Sequence, residues 1–100
     1  MEITVSGRQQ FEITSAIRQY ATDKVGKLPR YFDRIQKIDV VAGRHDNINH
    51  EVEVIVSAER AAPFIARHAG EDLYACIDNV INKLERQLTD HKNQLRDHKH

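Results

Sequence analysis

Cysteine is nearly absent from this chain. The lone Cys76 excludes an internal disulfide and fits a reducing compartment. Long apolar runs are missing as well, and no stretch approaches the ~20 apolar residues that cross a bilayer. The opening residues, MEITVSGRQQ, hold neither an apolar run nor a basic leader. No signal peptide or membrane partner is therefore expected, and the expected location is the cytoplasm. Charge of one sign is lacking too: fifteen lysines and arginines balance fifteen acids, for a formal net charge of zero. Nonspecific nucleic-acid binders usually carry a basic excess, so any such binding has to come from local distribution. There is no phosphate-cradling glycine loop, no CxxC and no HExxH, and no internal repeat or low-complexity tract.

These absences leave little for catalysis. Cys76 sits at the edge of an apolar stripe, one residue before Ile77, and reads as a packing cysteine, because buried thiols are commonly inert. Of the six histidines, His91, His98 and His100 lie near the C-terminus, His45 and His50 flank a loop, and His68 points inward. None shows a rigid ligand spacing. The chain is expected to be no enzyme, with no catalytic residue, no metal, no cofactor and no small-molecule substrate.

What is present is a strong helix. From Gly70 to His91 the apolar residues are Leu73, Ile77, Val80, Ile81, Leu84 and Leu88. Steps of four, three, one, three and four put them on one buried stripe. Glu71 and Asp72 place negative charge on its first turn, where the helix dipole favours it. Carried on to Leu95, the helix is roughly 37 Å long at about 1.5 Å per residue, enough to overhang a small core.

The remaining elements follow in order. Glu2 to Gly7 alternates as a strand, with Ile3 and Val5 on one face. Thr14 or Ser15 caps a helix whose inner face is Ile17, Tyr20, Ala21, Val25 and Leu28. Pro29 ends it, and Tyr31 and Phe32 fold back onto the core. Ile35 to Gly43 is a strand presenting Ile38, Val40 and Ala42, followed by a polar turn over 44–49. His50 to Ala58 alternates cleanly, with Val52, Val54, Val56 and Ala58 opposite Glu51, Glu53, Ile55 and Ser57. Phe64 to Ala69 is a fourth strand, with Phe64, Ala66 and His68 inward. The order β-α-β-β-β-α predicts an α+β two-layer sandwich: a four-stranded mixed sheet with both helices on one face. The first β-α-β unit is a right-handed crossover joining parallel strands, and the rest run antiparallel. The other sheet face is expected to be wet and rich in acid.

One hundred residues suit a single domain with one modest core. Its basic residues cluster: from Ile13 to Arg34 there are five (Arg18, Lys24, Lys27, Arg30, Arg34) against two acids. Lys24 and Lys27 share an edge of the first helix with Tyr20, and Lys83 and Arg86 share an edge of the second. Side by side on the sheet, these edges would form one positive surface suited to the phosphates of an RNA backbone. The competing use is local pairing, Lys83 with Asp90 or Asp23 with Lys27. The sheet carries no paired exposed aromatics, so a base-stacking platform is not expected.

Three stretches carry a resemblance: EITSAIRQY at 12–20, KLPRYFDRI at 27–35 and GEDLYACIDNVINKLERQL at 70–88. They resemble the bacterial ribosome hibernation-promoting factor family, which includes the ribosome-associated translation inhibitors and sigma-factor modulation proteins. The last stretch follows the pattern D-x-Y-A-A-I-D-x-x-x-x-K-L-x-R-Q-L except at Cys76. The resemblance implies the same β-α-β-β-β-α fold, similar to double-stranded-RNA-binding domains. It also implies a translation inhibitor that acts under starvation or in stationary phase. Such a protein binds small-subunit ribosomal RNA in the channel used by messenger and transfer RNA. Carried onto this chain, the implied RNA-binding residues are Lys24, Lys27, Lys83, Arg86 and Lys92, then Arg18 and Arg30, each as a phosphate contact. Tyr74 is read as packing and Asp78 as surface polarity. Asp90 stands where short members carry lysine, which removes one contact. By resemblance to the short class, residues 1–96 are expected to form one ribosome-binding domain, with 97–100 as a mobile tail and the free protein a monomer. The alternative is a regulatory module that docks a protein partner through the acidic outer sheet or the overhanging helix.

Overall fold

A computed structural model describes residues 1–97. Its elements are β1 (Glu2–Gly7), α1 (Ser15–Val25), a 3-10 turn (Leu28–Arg30), β2 (Ile35–Arg44), β3 (His50–Ala58), β4 (Phe64–Gly70) and α2 (Leu73–Asp97). The strands lie in the order β1-β2-β3-β4, with β1 parallel to β2 and the other pairs antiparallel. This is the expected α+β mixed sheet.

Thr14 caps α1: its backbone is extended and its hydroxyl accepts the Ile17 N–H at 3.2 Å. Ile17, Ala21 and Val25 bury the inner stripe. The helix stops at Val25 rather than Leu28, because Gly26 and Pro29 favour a tighter turn. Leu28 opens that turn and still reaches the core, fully buried. Before α1, the chain turns back over Gly7. A Cβ at Gly7 would strike the Phe11 carbonyl, so only glycine fits there.

In β2 the core side chains Ile35 and Ile38 are three residues apart, an odd spacing that would send one outward. A bulge between Ile35 and Lys37 resets the phase, and both are buried. Val52, Val54 and Val56 of β3 are fully buried, opposite the half-exposed Glu51, Glu53, Ile55 and Ser57. On β4, Phe64 and His68 are half-buried about a buried Ala66.

Helix α2 begins at Leu73, two residues later than the sequence suggests. Asp72 sits in the cap, its carboxylate accepting from the Tyr74 N–H at 2.9 Å, and Glu71 precedes the helix. The negative charge still faces the helix start, but as a cap. All six stripe residues are buried. The helix runs unbroken through Leu95 to Asp97, so the polar tail is helical that far; residues 98–100 of the expected mobile tail lie outside the described residues. His91 holds the overhang by packing edge-on against Phe32 and Phe64, at 5.3 and 5.2 Å between ring centres.

Helix side chains close the sheet edges. Lys83 Nζ donates to the Arg67 carbonyl of β4 at 2.8 Å, and Gln87 Nε2 to that of Ile65 at 3.1 Å. On the other edge strand, an Arg18 guanidinium nitrogen donates to the Val5 carbonyl at 3.1 Å. Such cover keeps edges from pairing with foreign strands.

Candidate nucleic-acid interface

Between α1 and α2 runs a groove of about 300 Å³ lined by Lys24, Lys27, Asp78, Ile81, Asn82 and Glu85. Asp78 is its centre. Tyr20 Oη donates to Asp78 Oδ1 at 2.7 Å, and Lys24 Nζ lies 3.5 Å from the same oxygen. Lys24 also sits 5.3 Å from the Tyr20 ring centre, and the Tyr20 and Tyr74 rings meet edge to face at 4.9 Å. The hydrogen bond to Asp78, aided by burial and its charge, pushes the Tyr20 hydroxyl pKa up. The Asp78 charge, with Tyr20 beside it, raises that of Lys24. Asp78 is thus more than surface polarity: it joins the two helices and neutralises one predicted RNA contact. Tyr74 packs, as expected.

The positive surface expected across both helices is divided. Lys24 and Lys27 face the groove, where Asp78 and Glu85 oppose them. Lys83 lies on the other flank of α2, over the β4 edge, and its ammonium is held by the Arg67 carbonyl rather than by Asp90. Arg86 is exposed, as is Asp90. Asp23 accepts from Gln19 Nε2 at 2.9 Å, not from Lys27. Arg18 is bound to the β1 backbone, while Arg30 is exposed on the 3-10 turn. Lys92 lines a separate groove of about 260 Å³ with Phe32, Asp33, Arg34, Leu95 and Arg96. Sequence reasoning passed over Arg34 and Arg96 as contacts. The available signals were the basic run ending at Arg34 and the four-residue step from Lys92 to Arg96, one helical turn.

The outer sheet face is not the acidic surface expected of it. Arg8 reaches Glu51 at 2.7 Å and Glu53 at 4.0 Å, Arg67 reaches Glu53 at 3.5 Å, and Lys37 lies 3.7 Å from Asp39. The Arg8 hydrogen bond holds the Glu51 carboxyl below its usual range. Outward positions of β2, β3 and β4 carry no aromatic ring, so there is no stacking platform.

Cys76 is buried, and burial pushes its thiol pKa up, away from the reactive thiolate. Among the described residues, no three His, Cys, Asp or Glu side chains gather to hold a metal. No helix among them is long and apolar enough to cross a membrane.

Fold and surface together define a small two-layer α+β domain with cations on its helical side and a self-neutralised outer sheet. The chain belongs to the family described as Sigma 54 modulation protein / S30EA ribosomal protein, which it matches over residues 3–96. It is 38% identical to the ribosome hibernation promoting factor of Escherichia coli K12 over 98 residues, covering 98% of this chain and 100% of that protein. It is 35% identical to the Azotobacter vinelandii protein of the same name, covering 92% and 83%. Two solved structures share the fold. The Thermus thermophilus Protein Y N-terminal domain superposes with a TM-score of 0.80 at 32% identity, covering 91% of this chain and 99% of that one. A ribosomal subunit interface protein from Coxiella burnetii gives 0.83 at 25%, covering 93% and 99%.

Proposed function

We propose that this protein is a ribosome hibernation factor. It binds the small ribosomal subunit in the channel used by messenger and transfer RNA, and so holds idle ribosomes silent. One observation carries the reading: full-length similarity to ribosome hibernation promoting factors. Exposed cations on the helical side support it, because phosphate contacts position a protein on RNA without reading sequence. Residues 1–96 act as one ribosome-binding domain, monomeric when free and working in the cytoplasm without catalysis. Arg86, Lys27, Arg30 and Lys92 are the contacts of choice. Lys24, Lys83 and Arg18 each have an internal partner and contribute only on exchanging it.

The alternative is a module docking a protein partner through an acidic outer sheet or the overhanging helix; its sheet route is disfavoured by the ion pairs that neutralise that face. A competition experiment separates the two. Purified small subunits are loaded with messenger and initiator transfer RNA, then offered the protein. Exclusion by the loaded channel, with inhibition of translation in a purified system, is the expected result. Equal binding to loaded and empty subunits would overturn the channel assignment. Capture of a protein complex that survives nuclease, with no subunit binding, would favour the alternative.

A further inference from the structure

At the end of the molecule where α2 begins, three connections gather, over residues 7–14, 44–50 and 70–73. Ile48 stands in the second of them, 65% exposed, more than any other large apolar side chain among the described residues. A lone exposed isoleucine is ordinary. This one is held on a rigid turn. Asp46 Oδ1 accepts from the Ile48 and Asn49 N–H groups at 2.8 and 2.7 Å, and Oδ2 accepts from Asn49 Nδ2 at 3.1 Å. The Asn49 carbonyl accepts from the His45 and Asp46 N–H groups at 2.9 and 3.2 Å. These bonds fix the turn before any partner arrives, so docking has little backbone left to order.

Beside the turn lies a hollow of about 400 Å³, larger than either groove on the helical side. Arg44, the last residue of β2, lines it together with Gln9, Gln10 and Glu12. Gln9 and Gln10 are both left-handed, at φ 51° and 67°. Residues other than glycine rarely adopt that conformation, and two in succession mark a wall held in shape by its surroundings. Phe11 supplies the hold: its N–H donates to the Arg8 carbonyl at 3.0 Å, and its ring meets that of His50 edge-on at 5.8 Å.

Charge decides what fits this relief. Arg8 is tied to Glu51. The three connections then hold four carboxylates, Glu12, Asp46, Glu71 and Asp72, against the guanidinium of Arg44, and none of these five makes an ion pair among the described residues. Such an end repels phosphate and attracts a surface rich in lysine and arginine. The zero net charge of the chain thus conceals a basic helical side and an acidic end.

We propose that this end docks a basic protein of the small ribosomal subunit. Ile48 enters an apolar recess of that protein, and the carboxylates meet lysines and arginines around it. The inference rests on the ribosomal reading and deepens it by adding a protein contact at the end away from Lys27, Arg30 and Lys92.

The test uses the full chain on purified small subunits. Ile48→p-benzoylphenylalanine is bound, irradiated, and the product digested with nuclease. A cross-link that survives, and that mass spectrometry assigns to a lysine- and arginine-rich subunit protein, is expected. Ile48→Ser should weaken co-sedimentation about tenfold at unchanged Tm, because the side chain is exposed in the free protein. Cross-links to ribosomal RNA alone, or full binding by Ile48→Ser, would overturn the docking while leaving the ribosomal reading in place. A wild-type chain that does not sediment with subunits would overturn both.

Discussion

Replacing Asp78 with alanine removes the acceptor of Tyr20 and the counter-charge of Lys24 in one step. A hydrogen bond to a charged group contributes about 1.5–3 kcal/mol. The Asp78 side chain is 44% exposed, and solvent screening brings the loss to about 1 kcal/mol. For a domain of this size that lowers Tm by about 4–8 °C. Binding should move the other way. Lys24 is released into the groove, one negative charge leaves it, and the salt slope of subunit binding steepens by about 0.7–0.9. Asp78→Asn keeps an acceptor for Tyr20, so it should lose less stability while gaining the same binding. The alkaline limb offers a further check. The hydroxyl pKa of Tyr20 is raised by Asp78, so this contribution is full below the unfolded value of about 10 and is lost as pH rises through the folded one. Asp78→Ala should shrink that alkaline loss, leaving the part that burial of the hydroxyl sets. Differential scanning calorimetry and subunit co-sedimentation read both arms. Weaker binding in both variants, with an unchanged salt slope, would refute the reasoning and make Asp78 itself a contact.

Other outcomes follow from the same contacts. Leu84 is fully buried on the α2 stripe, so Leu84→Ala should cost about 2–5 kcal/mol, read as a lower urea midpoint at unchanged m. Lys83→Ala should speed amide exchange in β4 by uncovering the Arg67 carbonyl, with little loss of subunit binding. Arg86→Glu should do the reverse, weakening binding at unchanged Tm. The Glu51 carboxyl is held low by Arg8, so its stabilisation is full above the unfolded value of about 4.3 and fades as pH falls through the folded one. Arg8→Met should flatten that acid limb in pH-dependent urea unfolding.

The sequence shows the skeleton well because two periods dominate it. The alternation of β3 and the stripe of α2 each leave one register in which the apolar residues are buried together. The polar turns after Arg44 and Glu59 supply the antiparallel order. What escapes the eye is decided by single residues or by distant pairs. The bulge beside Gln36 is one extra residue, visible only in the odd step from Ile35 to Ile38. The partition of the cations depends on which flank of α2 meets α1, and a stripe alone does not tell left from right. Asp78 meets Tyr20 across 58 positions, so its bridging role has no local signature. The Arg34–Lys92–Arg96 cluster has the same origin: the overhang of α2 meets the start of β2 only in the folded chain.

The central claim is that charge on the helical side holds this protein on the small ribosomal subunit. Co-sedimentation of the purified full chain with small subunits across a salt series tests it most directly. Association that falls linearly in log K against log salt, and fails when the channel is already occupied, is the predicted result. Absence of association even at low salt, or binding indifferent to salt, would contradict it.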